Sequence, residues 1–129
     1  MDVLSKKIGG RQRRLTVNDV QIREVETREG ATGEKLILMC LSPEGQEFLI
    51  DEALLEDHRD QEIRSKGLWV STDGEGAIRA RSIIAKTLQY YGVVTPQELE
   101  GQEITALPKK NNYLAIVIDD KVTDDTLPW

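Results

Sequence analysis

Four groups of side chains in this 129-residue chain have types and spacings that chemistry uses. The first is acidic: Asp51, Glu52, Glu56, Asp57 and Asp60. Paired acids are what a metal-dependent nuclease needs to hold a divalent ion. No histidine or lysine stands at a spacing that completes such a site, so the stretch reads as a solvated charged face. The one histidine, His58, sits among charges, and the one cysteine, Cys40, lies in an apolar run. A single thiol builds neither a disulfide framework nor a cysteine metal site. There is no glycine-rich phosphate loop and no activated nucleophile. The chain is therefore expected not to be an enzyme, and to take no metal or cofactor.

The second and third groups are cations and rings. Arg28 and Lys35 flank one glycine-containing stretch, Lys109 and Lys110 open another, and Arg11, Arg13 and Arg14 stand near the start. Phe48, Trp69 and Tyr113 are the rings nearest to them in the expected layout. Single-stranded nucleic acid is held by rings that stack on bases beside a cationic track along the backbone. These ten residues are the DNA-binding candidates. Each ring has ordinary core packing as its alternative, since aromatics bury large areas wherever they sit. Tyr90 and Tyr91 read as core and rim, and Arg79, Arg81 and Lys86 as a solvated helix face.

The fourth group is the acidic segment Asp119 to Trp129, which closes Asp124-Asp125-Thr126-Leu127-Pro128-Trp129. Its charge and its lack of apolar anchors before Leu127 predict a mobile tail. A large ring at a mobile tip is a poor solubility device and a good ligand, so Asp124, Asp125, Leu127, Pro128 and Trp129 are partner-binding candidates.

The elements that must position these groups follow from length and periodicity. The length suits one domain with a modest, mostly aliphatic core. Net charge is −6, but the first fourteen residues are basic while the body and tail are acidic. That balance excludes a strongly basic nucleic-acid binder and leaves room for a local basic groove, because salt confines surface fields to about 8–10 Å. Residues 1–14 read as a flexible basic arm, either a bland start or a grip on phosphates. Residues 15–118 read as the domain, and 119–129 as the tail.

Alternation of Leu15, Val17, Val20 and Ile22 predicts a long first strand, with a bulge near Val25. A loop over Thr27–Glu34 leads to a second strand over Lys35–Leu41. The turn Pro43-Glu44-Gly45 leads to a third strand over Glu47–Ile50. Asp51–Lys66 is charged and reads as helical. Ala77–Tyr91 is the clearest helix, with Ala80, Ile83, Ile84, Leu88 and Tyr91 on one face. Thr95-Pro96-Gln97-Glu98 has the form of a capping box. Two further strands follow, over Glu103–Leu107 and Tyr113–Ile118. The order β-β-β-α-β-β is that of the oligonucleotide-binding barrel, a five-stranded Greek-key fold. The expected fold class is therefore mainly β, with one main helix between strands three and four.

A domain of this kind followed by a tip reading Asp124-Asp125-Thr126-Leu127-Pro128-Trp129 resembles the single-stranded-DNA-binding proteins of bacteria and their phages. The small size and the segment Leu88-Gln89-Tyr90-Tyr91-Gly92 … Leu99-Glu100-Gly101-Gln102-Glu103-Ile104 look like phage versions. The resemblance implies that the barrel coats and protects single strands during replication, recombination and repair. It implies too that the tip recruits replication and recombination proteins. A homo-oligomer, dimer or higher, and a cytoplasmic location without membrane attachment are the accompanying expectations. The alternative from another class is a phage-encoded protein-binding module that inhibits a host nucleic-acid complex.

Overall fold

The computed structural model describes residues 11–129. Lys6 and Lys7, and with them most of the expected basic arm, lie outside that range. Among the described residues the chain is mainly β, with one α-helix. β1 (Arg13–Glu26), β2 (Thr32–Leu41) and β3 (Glu47–Ile50) form an antiparallel meander. β4 (Glu52–Glu56) and β5 (Ile63–Gly67) form a hairpin. α1 (Ile83–Tyr90) and a 3-10 turn (Pro96–Leu99) precede the hairpin of β6 (Glu103–Pro108) and β7 (Leu114–Val117).

The hydrogen-bonded sheet has seven strands in the order β3-β2-β1-β6-β7-β4-β5. Seven replaces the expected five, and the sheet has two ends and is not closed. The extra strands come from Asp51–Lys66, which is a hairpin and not a helix. Ala53, Leu54 and Leu55 are consecutive and all buried. Ala53 and Leu55 enter the main core while Leu54 enters a second cluster on the opposite face. A run covered on both sides suits a strand, and the charges gather at its ends and in the turn. Gln61 takes a left-handed φ of 61° in that turn.

The bulge in β1 lies at Asn18, not near Val25. Val17 pairs with Cys40 and Asp19 with Met39, which leaves Asn18 unmatched. Val17 and Val20, three residues apart, would face opposite sides of a regular strand. The inserted residue turns both toward the core.

The helix is shorter than its apolar pattern predicts. Ser82 caps it, its hydroxyl accepting from Ala85 N at 3.2 Å. Upstream, Thr72 bridges Ile78 and Asp73 N donates to Ala77 O, so Ala77–Arg81 belongs to a turn. Tyr91 locks the helix to the sheet. Its hydroxyl donates to Val117 O at 2.7 Å and accepts from Thr105 N at 3.3 Å.

Asp119–Trp129 packs on the outside of the sheet. Val122 and Leu127 are buried with Leu54, Leu107, Ala115 and Val117, and Trp129 packs beside them. Val122 is the anchor that the sequence reading missed. Asp119 adds a polar tie, accepting from Glu56 N and Lys121 N, each at 3.0 Å. Among the described residues no helix is long and apolar enough to cross a membrane.

Candidate nucleic-acid interface

β3 alternates, so Phe48 packs against the core and Leu49 faces outward, 57% exposed. Phe48 is thus placed with the core residues. The same alternation, carried across the register, puts Arg23, Ile37 and Leu49 on the outer surface of the meander. There they line a groove of about 430 Å³ together with Asp51, Glu52, Lys109, Asn111, Tyr113 and Leu114. Tyr113 is the one ring among its lining residues, at 71% exposure. Arg23 and Leu49 were not among the sequence candidates. Their signal was present, since each lies out of phase with the apolar residues beside it.

The cations divide into paired and unpaired. Lys35 is only 8% exposed. Its Nζ lies 3.4 Å from Asp51 Oδ2 and 4.8 Å from the centre of the Trp69 ring. Lys109 pairs with Glu52 and lies 5.9 Å from the centre of the Tyr113 ring. Burial of Glu52 opposes its ionisation, but hydrogen bonds from Lys109 and Ser65 outweigh this and hold its carboxyl below the ordinary range. Both lysines are therefore largely neutralised and act on the rings more than on an incoming anion.

Arg28, in the β1–β2 turn, and Lys110, in the β6–β7 turn, are exposed. The two turns come together: both residues line one cavity with Lys109, Asn111, Arg64 and Trp129. Of the early arginines, Arg11 is engaged with the tail. Its guanidinium donates to the main-chain oxygens of Asp124 at 2.8 Å and Trp129 at 3.0 Å. Arg14 pairs with Glu103 at 3.1 Å. Arg13 opens β1, exposed and outside every ion pair among the described residues.

The expected partner-binding tip is seated. Leu127 is buried, the indole N–H of Trp129 donates to Pro108 O at 3.0 Å, and Asp124 lies 3.6 Å from Arg11 Nε. Asp125 and Pro128 stay exposed.

The acidic cluster does not converge. Asp57 is buried and surrounded by Arg59, Arg64 and Lys66. Hydrogen bonds from the Arg59 side chain and main chain hold its carboxyl well below the usual range. Asp51 and Glu52 pair with lysines, and Glu56 with Lys121. Among the described residues no group of acids, histidine and cysteine is arranged to hold a metal ion. Compared with protein-family models, curated proteins and solved structures, the chain matches none of them.

Proposed function

We propose that this protein binds single-stranded DNA without chemistry, along the outer face of β1–β3 and the turns at its rim. The observation that carries the proposal is Tyr113. It is a largely exposed ring lining a groove, at the end of the β6–β7 turn, and the neighbouring cavity brings Lys110 of that turn together with Arg28 of the β1–β2 turn. A ring that open contributes little to folding and is well placed to stack on a base, a contact worth about 1–3 kcal/mol.

The oligonucleotide-binding barrel remains the proposed architecture. β3 and β4 are separated by Asp51 alone, with β3 antiparallel to β2 and β4 parallel to β7. Counting them as one bent strand gives the neighbour order β1-β2-β3/β4-β7-β6-β1, although the hydrogen-bonded sheet itself ends at β3 and β5. That order supports the reading, since it is the order of a five-stranded Greek key, with β5 as an added arm.

At the groove and its rim turns, the exposed cations Arg23, Arg28 and Lys110 are free to meet phosphates. These three contacts should contribute roughly −2 to the salt slope of single-strand binding. The tip as a ligand for replication and recombination proteins belongs to the same proposal. Its seat sets a condition, since Leu127 and Trp129 must leave it before a partner can take them.

The test is anisotropy of a labelled thymidine strand, with a duplex competitor and a salt series. Saturable binding that the duplex does not displace, and that weakens as salt rises, is the expected result. No binding at low salt overturns the proposal in favour of a protein-binding module.

A further inference from the structure

Trp69 lines an opening separate from the groove at Tyr113. Its indole lies against two glycines that leave room for it. A Cβ on Gly67 would come within 2.5 Å of indole Nε1, and one on Gly33 within 3.1 Å of Cζ3. Trp69 is bridged to Lys35 across the strands and stays 36% exposed. Together with Gly67, Ser71, Arg79, Arg81, Ser82 and Ile83 it lines a cleft of about 310 Å³.

The sequence pattern puts Arg79 and Arg81 on the solvated face of a long helix. In the structure the helix starts at Ile83, so both residues sit in the turn before it. Arg79 N donates to Ser71 O at 2.9 Å, which holds that turn beside the indole. Both arginines are exposed, and neither belongs to an ion pair among the described residues. That separates them from Lys35 and Lys109, whose charges are spent on carboxylates. A flat ring beside two unpaired guanidiniums suits a base carrying a phosphate.

We propose that Trp69, Arg79 and Arg81 form a second nucleotide subsite, taking a nucleotide of the same strand beyond the Tyr113 groove. This rests on the single-strand reading. Lys35 and Asp51, the latter a lining residue of the first groove, connect the two along the face. The bound strand then runs from the rim turns, across β3 and β2, to the turn before α1.

The test uses Trp129→Phe protein, in which Trp69 is the only tryptophan, with a thymidine strand of about thirty nucleotides. Anisotropy of the labelled strand reports binding, and quenching of Trp69 reports the subsite. Quenching that saturates together with anisotropy is expected. So is a salt slope that becomes shallower by about 1.4 when Arg79→Ala and Arg81→Ala are combined, two contacts at ~0.7 each. Binding by anisotropy with unquenched Trp69, or an unchanged slope in the double variant, overturns the subsite and leaves the single-strand reading standing. Absence of any anisotropy change overturns the reading itself, and the subsite with it. Equal quenching by free thymidine monophosphate would mark a mononucleotide pocket and would also overturn the proposal.

Discussion

The indole N–H of Trp129 donates to the carbonyl oxygen of Pro108 at 3.0 Å, which fastens the ring to the last residue of β6. Arg11 donates to the main-chain oxygen of Trp129. Replacing Trp129 with Phe keeps an apolar ring and removes the donor. The expected cost is about 0.5–1.5 kcal/mol, read as a lower urea midpoint at unchanged slope. Arg11→Ala should speed amide exchange in residues 119–129 while β2 and β6 keep their protection. Unchanged exchange there would mean that the arginine does not hold the tail.

Asp57 organises the β4–β5 turn. It accepts from Arg59 N at 3.0 Å and lies 3.1 to 3.6 Å from the charged groups of Arg59, Arg64 and Lys66. Its carboxyl is depressed, first by the Arg59 side-chain hydrogen bond and then by the Arg59 main-chain N–H. A depressed folded pKa gives stability that is present above the unfolded value, near ~3.9, and is lost as pH falls toward the folded value. Asp57→Asn should therefore be less stable than wild type near neutral pH. The gap should narrow on acidification below about pH 4. A gap independent of pH would show that charge is not what the turn uses.

Cys40 lies in the core with no exposed surface, and burial pushes its thiol up to about 12. The thiolate is the reactive form. Native protein at pH 8 should leave Ellman's reagent uncoloured for as long as it stays folded, and react at once in denaturant. Prompt reaction without denaturant would place Cys40 at a surface.

Much of this layout is legible in the residues. The meander, the final hairpin and the turn at Thr95-Pro96 follow from alternation and turn chemistry, because those signals are local. The β4–β5 hairpin was missed because its buried run Ala53-Leu54-Leu55 is covered on both faces, and such a run shows no period. The seat of the tail was missed because its anchors, Val122, Leu127 and Trp129, are scattered along it and meet Leu54, Leu107 and Val117 only after folding. The site divides in the same way. Residue type finds Tyr113, Arg28 and Lys110, but not that Lys35 and Lys109 face carboxylates. That pairing joins residues distant in sequence and exists only after folding.

Tyr113 offers the sharpest functional contrast. Its ring is 71% exposed, so Tyr113→Ala should leave the urea midpoint close to wild type. Losing one stacked base costs about 1–3 kcal/mol, which lowers affinity for a thymidine strand by roughly 5- to 150-fold. Tyr113→Phe keeps the π-face and should bind nearly as wild type. Phe48→Leu supplies the converse, since Phe48 faces the core: it should lower the midpoint while the folded protein keeps its affinity. If Tyr113→Ala binds as tightly as wild type, the groove is not where the strand lies. If Phe48→Leu is the variant that loses affinity at full stability, the strand contacts the opposite face of β3.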